Sequence, residues 1–263
     1  MTPRCAVLDD YQDVALSMAD WSALAGAVDV RTLRQPFRSE DEVVAAIGDC
    51  EIVVAMRERT PFPASLLARL PRLRLLITSG MRNAAIDLEA AARHGVTVCG
   101  TASNTEPPVE LTWALILGLA RSVVTESAAM RGGGPWQSTL GADLHGRTLG
   151  LLGLGKIGSR VARIGQAFGM NVTAWSQNLT SRAAIVDQPA LLRALREDWI
   201  AGAGLDVFDH EPLPAGHPLR TLPNVLALPH LGYVTRRNYE GYFPQAVEDI
   251  AAFLAGSPIR QLG

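Results

Sequence analysis

Thr148-Leu149-Gly150-Leu151-Leu152, running into Gly153-Leu154-Gly155-Lys156-Ile157-Gly158, decides how this chain is read. The first five residues form a short apolar run of the kind a buried parallel strand uses, and the next six space three glycines as GxGxxG. Such a turn is informative when it leaves a strand and opens a helix. Gly153 then permits the tight turn, Gly155 lets backbone approach a pyrophosphate, and Gly158 lets the helix pack on the strand. Lys156 and Ile157 open a helix over residues 156–168 that carries Ile157, Val161, Ile164 and Phe168 on one face. Its N-terminal N–H groups and positive dipole end suit phosphates. The bland alternative is a strand–helix turn with no ligand.

Outward from this motif, strand and helix alternate. Towards the N-terminus, short β-type runs lie at Ala6–Leu8, Val28–Val30, Ile52–Ala55, Leu73–Thr78 and Val96–Val98. Between them, Pro63 opens a helix with Leu66, Leu67 and Leu70 at helical spacing, and another runs from Asp87 to His94 and stops at Gly95. Alternation of this kind predicts parallel strands with crossover helices, so residues 1–102 read as a doubly wound α/β domain. A second unit follows. It holds a long, mostly buried helix from Glu110 to Arg121, a loop at Gly132–Pro135, strands at Val172–Trp175, Ala203–Val207 and Val225–Leu228, and a closing helix from about Arg236 to Leu254.

Composition narrows the function classes. Of 263 residues, 48% are hydrophobic and 19% charged, which excludes a disordered or fibrous chain. A formal net charge of −2 argues against nucleic acid or an anionic membrane as partner. Cys5, Cys50 and Cys99 lie far apart beside apolar runs and read as buried hydrophobes in a reducing compartment. The apolar run Leu111–Ala120 is too short for a bilayer span, and no metal-ligand spacing or targeting segment is visible. The expectation is a soluble, cytoplasmic protein.

About 20 residues past a dinucleotide loop an acid usually bonds the ribose 2′-hydroxyl. Here stand Trp175-Ser176-Gln177-Asn178, with Arg182 beyond. Ser176 or Asn178 suits an NAD ribose, whereas Arg182 suits the 2′-phosphate of NADP, and both cofactors stay open. Among five histidines, His94 ends a helix, and His145, His210 and His217 read as solvated. His230 differs, because it follows the strand Val225–Leu228 at the carboxyl end, where α/β sheets bind ligands.

Three motifs then stand in order: Gly153–Gly158; Gly204-Leu205-Asp206-Val207-Phe208 with Glu211-Pro212-Leu213; and Pro229-His230-Leu231-Gly232-Tyr233. With Ser79-Gly80-Met81-Arg82-Asn83 and Val98-Cys99-Gly100-Thr101, the chain from about residue 5 to 260 resembles the D-isomer-specific 2-hydroxyacid dehydrogenases, in particular the group that includes D-3-phosphoglycerate dehydrogenase. The resemblance implies two doubly wound parallel-sheet domains of Rossmann/flavodoxin-like type with a cleft between them. Residues 1–102 plus 236–263 would be the substrate domain, and 103–235 the dinucleotide-binding domain. The implied reaction moves a hydride between NAD or NADP and a small D-2-hydroxy or 2-keto acid. His230 would be the general acid/base. Glu211 would pair with its imidazole and favour the charged form. Asp206 would hold the nicotinamide carboxamide, and backbone N–H groups of Gly80, Met81, Arg82 and Asn83 the substrate carboxylate. In bland terms, Glu211 is a solvated loop acid, Asp206 a polar strand end, and residues 79–83 an ordinary turn. A homodimer through helix 110–121 and loop 131–148 is also implied.

The chain departs from this family in two places. Pro107-Pro108 replaces the small residues expected before Glu110-Leu111. Between Trp175 and Gly204, family members carry two further βα units, the second strand ending in an Asn-Thr-x-Arg-Gly type turn whose arginine binds the substrate carboxylate. Here roughly 50 residues are absent, since two βα units need about that many, and the junction falls at Ala184/Ile185. The two missing strands would sit beside the glycine-loop strand. At ~25 cal/mol/Å² the apolar surface bared would exceed the usual 5–15 kcal/mol of net stability. Either the sequence as written omits a segment, or the chain carries a true deletion with a rearranged sheet. Three functions follow: a dehydrogenase, an inactive dinucleotide-binding remnant without the arginine, or another dinucleotide enzyme such as an alanine dehydrogenase or adenosylhomocysteinase relative.

Overall fold

The computed structural model describes residues 2–175 and 186–263. It divides into two units: Met1–Asn104 with Thr235–Gly263, and Thr105–Val234.

The first unit is built on five parallel strands, β1 (Arg4–Val7), β2 (Asp29–Thr32), β3 (Ile52–Ala55), β4 (Leu75–Thr78) and β5 (Thr97–Gly100), in the order β2-β1-β3-β4-β5. Strands β3 and β4 are buried at every position, which is why Ile52–Val54 and Leu75–Ile77 read as continuous apolar runs rather than alternating ones. Helix α1 (Glu40–Ile47) is capped by Ser39 and carries Glu40, Asp41 and Glu42 in its first turn, where the dipole favours negative charge. After the short α2 (Ala64–Leu67), α3 (Leu88–Arg93) starts on Asp87, whose carboxylate accepts the Ala90 N–H at 2.8 Å, and Gly95 at φ +70° turns the chain out of it. Leu8, Ile47, Val53, Phe62, Leu66, Leu76 and Ala91 lie in one continuous core. All three cysteines are buried and unpaired.

The long C-terminal helix α8 (Arg236–Leu254) completes this unit, and the tail beyond it returns to β5: Leu262 donates its N–H to Val98 O at 2.8 Å, and Gly100 to Arg260 O at 3.0 Å. Arg260 ties tail to helix. Its Nε donates to Asp249 Oδ1 at 2.9 Å, Nη1 to Glu248 at 2.9 Å and Nη2 to Gln245 O at 2.8 Å. Asp249 is 0% exposed, and burial pushes its carboxyl up to about 6 against the pull of Arg260.

In order, the second unit contains α4 (Glu106–Ala120), α5 (Val123–Arg131), β6 (Thr148–Leu152), α6 (Lys156–Ala167), β7 (Asn171–Trp175), α7 (Gln188–Arg196), β8 (Ala203–Leu205) and β9 (Val225–Ala227). All pairings are parallel, but the strands form two separate pairs, β6-β7 and β8-β9, instead of one sheet, and among the described residues no strand joins them. The core divides likewise: Val109, Trp113 and Val161 centre one cluster, and Leu195, Leu213 and Leu219 another. Helix α4 serves both pairs. Trp113 stacks on Phe168 at 5.0 Å, while Leu115 and Leu119 crowd Gly204. The register partners Leu152 and Trp175 are 62% and 52% exposed, with no further strand beside this pair among the described residues.

Two expectations change here. The helix expected from Glu110 starts at Glu106, with the two prolines in its first turn, where the missing N–H would have no acceptor. Nor is it mostly buried: only Pro107, Val109 and Trp113 are. On α6 the expected apolar face exists, yet Val161 alone of its four residues is buried. Among the described residues no single helix is long and apolar enough to cross a membrane.

Candidate active site

The glycine turn takes the expected form. Gly153 has φ +95°, and its N–H donates to Trp175 O at 2.9 Å. Gly155 stands at the N-cap of α6 with no side-chain cap, and nothing lies within 4 Å of where its Cβ would be. At Gly158 a Cβ would meet the Gly153 carbonyl oxygen at 2.3 Å, so a glycine is required for loop and helix to approach so closely. Open backbone facing uncapped helix N–H groups fits the phosphates of a dinucleotide. Ser176 lies outside the described residues, as do Asn178 and Arg182.

His230, Glu211 and Asp206 come together at the carboxyl ends of β8 and β9. Leu228 donates its N–H to Leu205 O at 2.8 Å, and the chain then turns at His230, whose φ is +54°. His230 Nδ1 lies 2.7 Å from Glu211 Oε2, with both side chains about four-fifths buried. Glu211 is held in turn, since its Oε1 accepts the Phe208 N–H at 2.9 Å. An ionised carboxylate only accepts, so this contact places a proton on Nδ1 and leaves Nε2 for chemistry. The Tyr233 ring stands edge-on to the imidazole at 5.5 Å. Asp206 Oδ1 accepts the Leu231 N–H at 2.6 Å and Oδ2 the Gly232 N–H at 2.8 Å. Burial pushes the Asp206 carboxyl up, while these two amides pull it back.

In the first unit, the loop after β4 is tightly tied. Gly80, at φ +98°, donates its N–H to Thr101 Oγ1 at 3.1 Å, so that amide is already engaged. Asn83 turns its amide inward, giving one Nδ2 bond to Arg57 O at 2.7 Å and one to Thr78 Oγ1 at 2.9 Å. Met81 and Arg82 are exposed. Arg57 covers the loop: Nη1 donates to Ser79 O at 3.3 Å, and its backbone N–H donates to Ser79 Oγ at 3.0 Å. Its turn after β3 holds Arg57 at φ +53°.

Of the other histidines, His145 and His210 are exposed. His217 is not simply solvated, for its Nδ1 accepts the Leu219 N–H at 3.2 Å. Sequence reading missed the Asp206 grip on residues 231 and 232 and the cover that Arg57 gives Gly80. Neither has a local signal, because each joins segments far apart in the chain.

Comparison with known proteins shows the family. The profile of the D-isomer specific 2-hydroxyacid dehydrogenase NAD binding domain matches residues 113–181 and again 179–232. A glyoxylate reductase of Aeropyrum pernix is 35% identical over 255 residues, covering 73% of this chain and 76% of that one. A D-3-phosphoglycerate dehydrogenase of Rattus norvegicus is 31% identical over 256 residues, covering 75% and 48%. The crystal structure of a phosphoglycerate oxidoreductase from Vibrio cholerae superposes with a TM-score of 0.88 at 31% identity, covering 98% of this chain and 100% of that one. The chain belongs to the D-isomer specific 2-hydroxyacid dehydrogenase family, and its glycine turn lies in that family's NAD-binding domain. The two matched stretches overlap at residues 179–181, upstream of the junction expected at Ala184/Ile185, which lies outside the described residues, and Arg182 falls in the second stretch.

Proposed function

We propose that this chain is an NAD-dependent reductase of small 2-keto acids, with His230 as the group that moves the proton. The observation that carries this reading is the 2.7 Å contact between His230 Nδ1 and Glu211. NAD fits the open glycine turn and, when bound, supplies or takes the hydride. The backbone of Gly153–Gly158 and the N-terminus of α6 hold its phosphates. In the reductive direction His230 gives the Nε2 proton to the developing alkoxide, and Glu211 stabilises the imidazole before and after. Backbone N–H groups of Met81, Arg82 and Asn83 take the substrate carboxylate. Arg182, in Thr180-Ser181-Arg182, is our candidate for the carboxylate-binding arginine that the resemblance requires. Glyoxylate is the first substrate to try, since relatives carry that name. The same reading includes the cytoplasm as its location and a homodimer, the latter supported by Trp136 and Leu140, which are 81% and 100% exposed on the loop after α5.

The test is NADH oxidation by the purified chain with glyoxylate, hydroxypyruvate and phosphohydroxypyruvate. Turnover that disappears in Arg182→Gln and His230→Asn supports the proposal. NADH binding without turnover on any 2-keto acid favours a second reading, a dinucleotide-binding remnant, which the two separate strand pairs support. Gly158→Ala is expected to weaken NADH binding at least about tenfold, roughly 1.4 kcal/mol, because the added Cβ strikes the Gly153 carbonyl. Quenching of tryptophan fluorescence reads this directly.

A further inference from the structure

Asp206 stands one residue past β8, and both of its carboxylate oxygens are taken by backbone, from Leu231 at 2.6 Å and Gly232 at 2.8 Å. Those amides follow His230, which sits at a left-handed φ of +54°. Consecutive N–H groups beside a left-handed residue form a concave pair of donors that binds an anion. Here the chain supplies its own anion. A non-glycine residue keeps a left-handed conformation only where its surroundings hold it. Two further backbone ties hold this turn, His230 N–H to Leu228 O at 3.0 Å and Val234 N–H to Leu231 O at 2.9 Å, and neither engages the amides of 231 and 232. The side of the turn that carries those amides is therefore fixed by Asp206.

We propose that Asp206 is a positioning residue, whose carboxylate locks the 230–232 turn and so aims the His230 imidazole at Glu211. The proposal rests on His230 being the proton-transferring group, and it gives Asp206 a task other than the nicotinamide carboxamide. The two acids divide the work: Glu211 fixes the ring nitrogen, Asp206 the backbone that carries the ring. Asp206 is itself anchored, because Leu205 immediately before it accepts the Leu228 N–H at 2.8 Å. The fit is close, since a Cβ on Gly232 would stand 3.0 Å from Asp206 Oδ2.

The experiment labels the histidine rings of the full chain with ¹⁵N and compares wild type with Asp206→Ala, Asp206→Asn and Gly232→Ala, measuring NADH dissociation constants on the same samples. Wild type is expected to show a single His230 tautomer with Nδ1 protonated. Asp206→Ala should move both ring nitrogens towards exchange-averaged shifts, and Gly232→Ala, which displaces the carboxylate without removing its charge, should do the same. Asp206→Asn keeps one acceptor and should restore part of the wild-type signal. NADH affinity should change by less than about threefold, and turnover should fall at least about tenfold at near-constant KM. Unchanged ring shifts in Asp206→Ala, with NADH affinity lost about tenfold or more, would overturn the proposal in favour of direct cofactor contact. Should Asp206→Ala not fold, unchanged shifts in both Asp206→Asn and Gly232→Ala overturn it equally. Ring shifts need no turnover, so an inactive chain leaves this test intact.

Discussion

Replacing His230 with asparagine is expected to lower turnover on a 2-keto acid by about 10²–10⁴-fold, the range that a positioned general acid supplies. Asparagine is the informative choice, because it tolerates the left-handed backbone that His230 adopts at φ +54° while removing the imidazole. The turn over residues 230–232 then keeps its bonds to Asp206, and the loss reports chemistry rather than a collapsed loop. Glu211→Gln should cost less, since an amide still accepts from Nδ1 but no longer balances a positive ring. Steady-state kinetics check both: kcat falls, and the NADH KM moves little. A His230→Asn enzyme within about threefold of wild type would remove His230 from the mechanism.

Arg260→Ala is expected to destabilise the protein by about 3 kcal/mol at pH 7.5, the lower end of the cost of stranding one partner of a buried ion pair. Asp249 is 0% exposed and its Oδ2 has no hydrogen-bond partner among the described residues, so without Arg260 a carboxylate remains in the core stripped of its countercharge. The sign of the pH dependence follows from its carboxyl, which lies at about 6 in the folded protein against an ordinary 3.8. The folded state binds a proton more tightly than the unfolded one between these values, so this group's contribution is full below about pH 4 and is lost as pH rises through about 6. Urea midpoints should therefore show Arg260→Ala closer to wild type at pH 5 than at pH 7.5. Asp249→Asn should remove this difference, and a pH-independent Arg260→Ala deficit would contradict the account.

What the sequence makes legible is local. The glycine turn and the helix behind it are set by residues within one turn of each other, and strands β3 and β4 announce themselves because burial on both faces leaves apolar side chains at every position but Thr78. Helix α4 begins earlier than expected, because prolines acceptable in a first helical turn look like a boundary. The Glu211–His230 contact comes from the family resemblance rather than from spacing, and the Asp206 bonds to residues 231 and 232 are invisible because β8 and β9 meet only in the fold. The short count of residues between β7 and α7 is readable in the sequence, but the two strand pairs, each with its own small core, are not, because they depend on how the apolar surface of the whole unit shares out.

The order in which these parts can form during synthesis follows from the first unit being drawn from both ends of the chain. The helix α8 and the tail strapped along β5 are made only after the whole of Thr105–Val234, so the five-stranded sheet stands without them throughout that stretch of synthesis. At ~5–20 residues per second that wait is on the order of ten seconds, during which the second unit, contiguous in sequence, folds first. Nascent chains arrested before residue 236 should thus be cut by protease within residues 1–104 while Thr105–Val234 resists, and extension through α8 and the tail should then bring protection to residues 1–104.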